Sequence, residues 1–243
     1  MIGVILAAGM ASRLRPLTDA VPKCLLTVGE CSLLQRTIDA LLECGVRQIV
    51  MVLGYRGQQI RDFISEHYPD LDVFFIDNTA YNSTNNIFSL WLTREQTEGR
   101  DFVLLDSDIL FDSRVLKAVL EDANPNVLAL NCHQLGEEEI KVVANGQRDV
   151  LEISKVCSIA DAAGESVGIE KISPEYSTAL FAELEKMIVG EGLDNVFYEK
   201  AFERLIPQGY MFRYVDTSEF FSIELDTVED FKNANDLISA KII

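Results

Sequence analysis

Histidine and tryptophan are scarce in this sequence, which has two histidines (His67 and His133) and one tryptophan among 243 residues. Two histidines are too few for a histidine-rich zinc centre and make a Ser-His-Asp triad improbable. The five cysteines are odd in number and never form a CxxC pair. We therefore expect reduced, structural thiols and no disulfide framework.

Long apolar runs are also missing. No stretch reaches the ~18 uncharged apolar residues that a membrane-spanning helix needs. The apolar start at residues 1–8 has no basic segment before it and is too short for a secretory signal. Since 48% of the residues are hydrophobic and 25% are charged, the chain can bury the core of one large α/β domain. The expectation is a cytoplasmic protein with no membrane span.

Positive charge is scarce overall, and the formal net charge is −18. Residues 1–61 nevertheless hold seven Lys/Arg against four Asp/Glu, whereas the remainder holds fourteen against thirty-five. An acidic body repels nucleic acid, because affinity for such polymers depends on neutralising phosphates. A local basic segment on an acidic body instead suits a small anion that arrives with a divalent cation.

Apolar runs alternate with amphipathic segments through the first half of the chain. The predicted strands are 2–7, 47–54, 72–77, 101–108 and 126–132, and the predicted helices are 32–45, 57–68, 85–96 and 113–123. Strands separated by helices indicate βαβ units, hence an α/β fold with a mostly parallel sheet flanked by helices. Ligands in such sheets bind beyond the carboxyl ends of the strands.

The second half of the chain changes character and predicts a small β-rich insertion. Residues 139–155 alternate around Asn145-Gly146, which is a hairpin signal. The remaining predicted elements are a strand at 166–173, helices at 174–189 and 194–206, strands at 210–217 and 221–225, and a last helix at about 227–240. No internal repeat or linker is visible, so we expect one domain.

The first loop, "LAAGMASRLRPLTDAVPKCLL" at 6–26, concentrates cations in an otherwise acidic chain. It matches neither GxxxxGK[ST] nor GxGxxG. Small residues at 7–11 would let backbone N–H groups approach a phosphate, and Arg13 could add a bidentate contact. Pro22 restricts the backbone before Lys23 and so helps to direct that side chain. The alternative is a surface loop with solvated charges.

Two pairs of acids stand at strand ends. Asp106 and Asp108 lie two residues apart in "LDSD", as do Glu224 and Asp226 in "IELD". Carboxylates that converge from two strands suit Mg²⁺, which takes one or two of them and completes its shell with water and phosphate oxygens. The alternative is that Asp226 only caps the last helix and Asp108 only sits in a turn.

The loop at 6–26 resembles the signature of nucleotidyltransferases that activate sugar phosphates and choline phosphate, AAG-x-G-x-RL-x-PLT followed by PK-x-L. The second glycine of that signature is Ala11 here, which a left-handed backbone would strain. The segment "NTAYNSTNNIFSLWL" at 78–92 is similar to small bacterial cytidylyltransferases of the phosphocholine type. The resemblance implies a Rossmann-like nucleotidyltransferase domain over 1–243, with a nucleotide-binding half at 1–132 and an acceptor-binding half at 133–243.

The resemblance also implies roles for individual residues. Catalysis would fall to Arg13, Lys23, Asp108 and Asp226, with Mg²⁺ held by Asp108 and Asp226. CTP would be bound by the loop, the strand ends and the segment after the third strand: Leu6, Ala7, Ala8, Gly9, Met10, Ala11, Ser12, Arg13, Lys23, Gly54, Tyr55, Asn78, Asn85 and Asp106. Arg15 could instead pair with a neighbouring acid, and Asn85 or Asn86 could simply begin a helix.

The acceptor would be bound by Lys155, Phe197, Tyr198, Glu199 and Glu224. In phosphocholine-type enzymes an aromatic-plus-acid cluster like that at 197–199 holds the positive nitrogen, and cation–π contact is a sound basis for this. Those enzymes also place a tryptophan near 139–142, where this chain has Ile140 and Lys141. The acceptor could therefore carry a smaller amine or another polar group. Lys155 could also be a solvated hairpin-end residue, and Phe197 could be core.

The function implied is a Mg²⁺-dependent cytidylyltransferase that joins CMP from CTP to a small phosphorylated or phosphonate acceptor and releases pyrophosphate. One alternative is a sugar-phosphate or inositol-phosphate nucleotidyltransferase that uses UTP, dTTP or CTP. Another is a non-catalytic nucleotide-sensing module, which the two acids Asp108 and Asp226 disfavour. A glycosyltransferase would have no pyrophosphate for Arg13 and Lys23 to bind. The oligomeric state is left open.

Overall fold

Strands and helices alternate through the chain largely as the sequence predicts. The computed structural model describes residues 1–137 and 139–239. The strands in this part of the chain are β1 Ile2–Ala7, β2 Thr27–Val28, β3 Cys31–Ser32, β4 Gln48–Leu53, β5 Asp72–Asp77, β6 Phe102–Asp106, β7 Ile109–Phe111, β8 Val127–Asn131, β9 Lys141–Ala144, β10 Val150–Ser154, β11 Gly164–Ile172, β12 Arg213–Asp216 and β13 Ser222–Glu224. The helices are α1 Leu33–Glu43, α2 Gly57–His67, α3 Asn86–Leu92, α4 Arg94–Thr97, α5 Ser113–Glu121, α6 Pro174–Glu185, α7 Glu199–Leu205 and α8 Val228–Ser239.

The apolar run of β1 is the centre of the main sheet, and all six of its residues are buried. It pairs in parallel with β4 on one side and β6 on the other, and β4 pairs in parallel with β5. Such a strand is covered on both faces, which explains why its sequence is continuously apolar and does not alternate. The parallel pairing brings the carboxyl ends of β1, β4 and β6 to the same edge of the sheet.

The second half of the chain extends this sheet with antiparallel strands. Strand β11 lies antiparallel to β6, β8 and β9, and β9 continues into β10. Strand β12 then pairs in parallel with β8. The predicted α/β fold, with a mixed sheet flanked by helices, is confirmed. The predicted hairpin around Asn145-Gly146 is also present, as the β9–β10 pair.

The two faces of the sheet form two separate cores. Alternate residues of β1 face opposite sides: Val4 packs into one core and Ile5 into the other. The first core contains residues of α3, α6 and α7, and the second contains residues of α1, α2 and α5. None of the described helices has the length and apolar character that crossing a bilayer demands.

A small separate sheet brings the two acidic strand ends together. The sequence analysis did not predict β7, which pairs antiparallel with β13 and places Ile109 opposite Glu224. The amide of Leu225 also donates to the carbonyl oxygen of Asp108 at 3.1 Å. This pairing sets the residues before β7 beside those after β13, which no local sequence pattern specifies.

Several predicted boundaries differ from the structure. The helix predicted at 85–96 is split at Thr93 into α3 and α4. The helix predicted at 194–206 begins only at Glu199. In place of helix, residues 194–198 form an irregular segment, in which the carbonyl of Asp194 accepts from the Asn85 amide at 3.0 Å. A tertiary contact has replaced the first helical turn.

Gly54, directly after β4, allows the closest backbone approach next to the first loop. A Cβ atom at this position would lie 2.5 Å from the Ala8 carbonyl oxygen and 2.7 Å from the Tyr81 Cβ. The neighbouring amide of Tyr55 donates to that same carbonyl at 3.0 Å. The strand end and the loop therefore touch without room for a side chain.

We expect Gly54→Ala to lower the free energy of unfolding by about 1–3 kcal/mol, because the added methyl group overpacks a backbone contact. Gly146→Ala is the matched control, since a Cβ there meets nothing within 4 Å. Urea unfolding measures both variants. Equal stability of the Gly54 and Gly146 variants would contradict the close approach.

Candidate active site

A cleft of about 480 Å³ opens at the carboxyl ends of β1 and β6. Its walls come from the first loop, from the ends of β6 and β13, and from β11 and the segment before α7. Both halves of the chain contribute to it. Most residues predicted for nucleotide and acceptor binding line this cleft, namely Leu6, Ala7, Ala8, Gly9, Met10, Ala11, Ser12, Arg13, Lys23, Asn78, Asn85, Asp106, Asp108, Lys155, Phe197, Glu199, Glu224 and Asp226.

The first loop presents backbone amides to the cleft. Ala11, at the position where the family signature has glycine, adopts the left-handed conformation (φ 46°, ψ 50°). The hydroxyl of Thr18 donates to the Ala11 carbonyl at 3.0 Å and holds it in place. Within the described chain, no hydrogen-bond acceptor is found for the amides of residues 9–11. They are donors suited to phosphate oxygens.

Lys23 joins the loop to both acidic strand ends. Its side chain is buried, and its Nζ donates to Asp108 Oδ2 at 3.0 Å and to Asp226 Oδ1 at 2.7 Å. Burial opposes the charge of Lys23, but the two carboxylates outweigh it and raise its pKa above the ordinary value. The ammonium is thus charged at neutral pH and held between two acids.

The two arginines of the loop have different environments. Arg13 lines the cleft and forms an ion pair with Asp226, with Nη2 and Oδ2 2.8 Å apart. Arg15 lies outside the cleft lining and pairs with Asp19 at 3.4 Å. The alternative expected for Arg15, a pairing with a neighbouring acid, is the arrangement in the structure.

Three carboxylates converge opposite the loop. One oxygen each from Asp108, Glu224 and Asp226 lies within 4.8 Å of the others. Although burial opposes its ionisation, Lys23 and Arg13 hold the pKa of Asp226 below the ordinary value. The Glu224 side chain is accessible from the cleft, yet its partial removal from bulk water and the charges of Asp108 and Asp226 raise its pKa to about 8.

Asp226 is not simply a helix cap. The hydroxyl of Thr227 accepts from the Asp230 amide at 3.2 Å, while Asp230 Oδ2 accepts from the amides of Asp226 and Thr227. These reciprocal bonds form a capping box at the start of α8. They leave the Asp226 carboxylate facing Lys23 and Arg13. The carboxylate oxygens of Asp108, Glu224 and Asp226 lie together in the cleft, and their negative charges repel one another. Such a set of oxygen ligands fits a hard divalent cation such as Mg²⁺.

A second group of acids consists of Asp106 and Glu199, which line the cleft, and Glu170, which is fully buried and does not line it. We call Asp106, Glu170 and Glu199 the acid cluster. Tyr198 joins two of its members, because its hydroxyl lies 3.0 Å from Asp106 Oδ2 and 3.4 Å from Glu170 Oε2. Burial, followed by the neighbouring carboxylates, raises the pKa of Asp106 and of Glu170 well above the ordinary values. Burial likewise raises the pKa of Glu199 to about 7.

Glu199 differs from the other two acids in its hydrogen bonding. It is 5% exposed and lines the cleft, and its Oε2 has no hydrogen-bond partner among the described residues. Nearby, the Lys155 ammonium lies 4.8 Å from the centre of the Phe197 ring. Phe197 is 41% exposed, so it is not a core residue. Tyr198, by contrast, is fully buried and does not line the cleft.

The asparagine side chains at 78, 85 and 86 make hydrogen bonds within the protein. Asn78 is buried and donates to Thr84 and Ser89. Asn85 caps α3 through its own side chain, as the alternative interpretation proposed, and the Asn86 side chain accepts from the Tyr198 amide at 2.9 Å.

Gly54 and Tyr55 lie outside the cleft lining. The Tyr55 hydroxyl donates to the Thr18 carbonyl at 2.9 Å, so this residue supports the first loop from behind.

Known proteins similar to this chain identify its family and share its fold. Residues 3–200 match the MobA-like NTP transferase domain. The chain belongs to the MobA-like NTP transferase family. The resemblance of its first loop to nucleotidyltransferases is thereby confirmed.

Among curated NTP transferases, the chain is 25% identical over 242 residues to the CMP-5'-(3-aminopropyl)phosphonate synthase of Streptomyces rubellomurinus, covering 96% of this chain and 38% of that protein. It is 38% identical over 96 residues to the choline-phosphate cytidylyltransferase of Streptococcus pneumoniae, covering 40% of each. It is 22% identical over 243 residues to the CTP:phosphoglutamine cytidylyltransferase of Campylobacter jejuni, covering 93% of each. The chain thus spans about two fifths of the first two relatives.

Solved structures of NTP transferases have the same fold over the whole chain. The CTP:phosphocholine cytidylyltransferase of Streptococcus pneumoniae superposes with a TM-score of 0.79 at 21% identity, covering 98% of this chain and 99% of that one. The inositol-1-phosphate CTP transferase of T. maritima gives 0.81 at 19% identity, covering 98% and 94%. At these identities the superpositions establish the Rossmann-like fold.

Sequence reasoning missed some of the residues around this NTP-transferase cleft. Glu170 is fully buried in β11, and the signal was an acid within the otherwise apolar run "SVGIEKI". Gly168 has φ +78°, and a Cβ there would lie 3.0 Å from Asp106 Oδ2. The sequence shows the glycine, but it does not show that Gly168 lies against Asp106, because β11 meets β6 only through long-range pairing.

The raised pKa of Glu199 predicts a pH-dependent stability. Between pH 4.5 and about 7 the unfolded chain has lost the Glu199 proton while the folded protein keeps it. Raising the pH therefore favours unfolding, by about 3 kcal/mol across this range if Glu199 acts alone. Glu199→Gln should lose less stability than the wild-type protein between pH 5 and pH 8 in urea titrations. Exposed Glu66→Gln is the control, and parallel pH profiles for all three proteins would contradict the prediction.

Proposed function

We propose that this domain is a Mg²⁺-dependent cytidylyltransferase that transfers CMP from CTP to a small phosphorylated or phosphonate acceptor bearing an amine. The observation that carries the proposal is the convergence of Lys23, Arg13, Asp108 and Asp226 on one cleft at the strand ends. Fixed cations beside paired carboxylates are what a triphosphate and its metal ion require. A module that only sensed nucleotide would need no such pair of acids.

The reaction joins an acceptor phosphate or phosphonate oxygen to the α-phosphorus of CTP, while the bond to the β-phosphate oxygen breaks and pyrophosphate leaves. The acceptor oxygen is already an anion, so no covalent enzyme intermediate is needed. Catalysis is then positioning and neutralisation of spreading negative charge. Amides of residues 9–11 and Arg13 bind the β- and γ-phosphates, and Lys23 binds charge that develops at the transferred phosphoryl group.

Asp108 and Asp226, with Glu224 beside them, are the residues that would hold Mg²⁺. When bound, the ion would neutralise phosphate charge and orient the reacting oxygens. Lys23 pairs with both Asp108 and Asp226, and Arg13 pairs with Asp226. These ion pairs hold the two carboxylates in the cleft, beside the cations of the first loop.

The choice of CTP is supported by the activities that the names of the relatives give. The bacterial relatives named above transfer cytidylyl groups to aminopropylphosphonate, choline phosphate or phosphoglutamine. The name of aminopropylphosphonate specifies an amine, and the name of choline phosphate specifies a quaternary ammonium group. The acceptor side of this cleft has the matching chemistry, because Glu199 and Asp106 are acids that line it.

The amine is proposed to be primary. The Glu199 Oε2 atom has no partner among the described residues, and a primary ammonium can donate a hydrogen bond to it. A trimethylammonium group has no N–H to donate and relies on aromatic faces. Around this part of the cleft, Phe197 is the exposed aromatic residue, and Trp91 is bonded elsewhere, to Glu185. Phosphoethanolamine and aminoethylphosphonate fit this description better than phosphocholine.

We expect Asp108→Asn and Asp226→Asn each to lower kcat for pyrophosphate release from CTP by about 10²-fold or more, because each removes a metal ligand and a partner of Lys23. The exposed Asp70→Asn is the matched control. Circular dichroism should show that all three variants are folded. Near-wild-type turnover by either site variant would contradict the metal assignment.

A panel of acceptors with CTP, UTP and dTTP tests the proposed specificity. Pyrophosphate release should be fastest with CTP and a primary-amine acceptor, slower with phosphocholine, and slowest with glucose 1-phosphate and inositol 1-phosphate. Glu199→Gln should raise KM for amine acceptors about tenfold and leave KM for CTP unchanged, since it removes one charged hydrogen bond. A preference for a sugar or inositol phosphate would replace the proposed acceptor class.

A further inference from the structure

Lys141, the first residue of β9, carries a buried ammonium that the chemistry described so far does not use. The side chain is 2% exposed. Its Nζ donates to the carbonyl oxygens of Lys155 at 2.7 Å, Glu137 at 3.1 Å and Glu139 at 3.3 Å. An ammonium has three N–H donors, and three carbonyl oxygens lie around this one. An apolar side chain would fill the space but could not hold these carbonyls together.

The three carbonyls belong to the two segments at the open end of the β9–β10 hairpin. Lys141 itself pairs with Ser154, the last residue of β10, and Lys155 follows directly. Ile140, between Glu139 and Lys141, lines the cleft, as does Lys155. The buried ammonium therefore connects the loop segment before β9 to the loop segment after β10, and both segments contribute to the wall of the cleft where the acceptor is proposed to bind.

The bond to the Lys155 carbonyl is the shortest of the three. It fixes the backbone from which the Lys155 side chain extends toward the Phe197 ring. A lysine is long and flexible, so the position of its ammonium depends on where its backbone is held. Anchoring that backbone through a buried charge limits where the ammonium can reach in the cleft.

We propose that Lys141 is a positioning residue that sets the affinity for the acceptor by holding Lys155 in the cleft wall. This inference rests on the proposed function, since it assigns Lys155 to the acceptor. Lys141 does not line the cleft. Its effect is transmitted through the carbonyl of Lys155.

The chain contains a matched control for a merely structural role. Lys171 is also buried, at 8% exposure, and its Nζ donates to the carbonyls of Asp122 at 2.6 Å and Leu120 at 3.4 Å. It lies near the far end of β11, away from the cleft lining. Replacing either lysine by methionine removes a buried ammonium from carbonyl oxygens and keeps an unbranched side chain that is one atom shorter.

The kinetic test compares Lys141→Met with Lys171→Met. We expect the first to raise KM for the acceptor about tenfold, with KM for CTP changed less than twofold, and Lys141→Arg to recover part of the loss. Lys171→Met should leave both KM values within twofold of wild type. An unchanged acceptor KM in Lys141→Met, or an equal rise in Lys171→Met, would overturn the proposal.

A double-mutant comparison tests whether Lys141 acts through Lys155. In a Lys155→Ala background, Lys141→Met should change the acceptor KM less than twofold further, because the group it positions is gone. Independent, multiplicative effects would show that Lys141 acts by another route. If Lys141→Met does not fold, Lys141→Gln replaces it in the same measurements.

Hydrogen exchange supplies a readout that needs no turnover. The amide of Val156 donates to Ser154 Oγ at 3.2 Å and that of Gly136 to Glu139 Oε2 at 2.9 Å. Both should exchange at least tenfold faster in Lys141→Met and at the wild-type rate in Lys171→Met. If the wild-type protein transfers CMP to no acceptor, the proposed function fails while this test still reports on Lys141. Unchanged exchange at both amides would overturn the anchoring itself.

Discussion

The candidate site depends on one interaction, the contact of the Lys23 ammonium with both Asp108 and Asp226. These partners are 85 and 203 positions away from Lys23 in the chain, so three distant segments must meet for the contact to form. The β7–β13 pairing brings the two acids together, and the turn at residues 23–25 points the lysine at them. A buried ammonium without these carboxylates would be costly, which makes the arrangement cooperative.

The two ends of the cleft carry different sets of charged groups. Arg13, Lys23 and backbone amides lie beside Asp108 and Asp226 at the end formed by the first loop, while Asp106, Glu199 and Lys155 lie toward the end formed by α7. A molecule with phosphates at one end and an ammonium at the other would match both. Burial keeps these electrostatic terms strong, because water screens them less than on the surface. The net charge of −18 on the whole chain is therefore a poor guide to the field within the cleft.

The similar structures share the fold of this chain, but the fold alone does not identify the acceptor. This chain superposes with TM-scores of 0.79 and 0.81 on enzymes whose names give phosphocholine and inositol 1-phosphate as acceptors. One scaffold thus accommodates different acceptors, and the acceptor must be argued from side chains. For this chain we propose side chains of the second half, around Lys155 and Glu199. In this proposal the acid cluster, in which Tyr198 connects Asp106 and Glu170, restricts the choice of acceptor most.

The amino-acid sequence by itself determined the βαβ pattern of the first half, the basic loop at 6–26 and the paired acids, because these signals are local in spacing and composition. Only the tertiary structure decided which acids meet, that Tyr55 supports the loop from behind, and that Glu170 joins Asp106 beneath the cleft. Those outcomes follow from β11 running antiparallel beside β6 and from β13 pairing with β7. Long-range strand pairing leaves no periodic trace in either partner, since each strand alone is compatible with many neighbours.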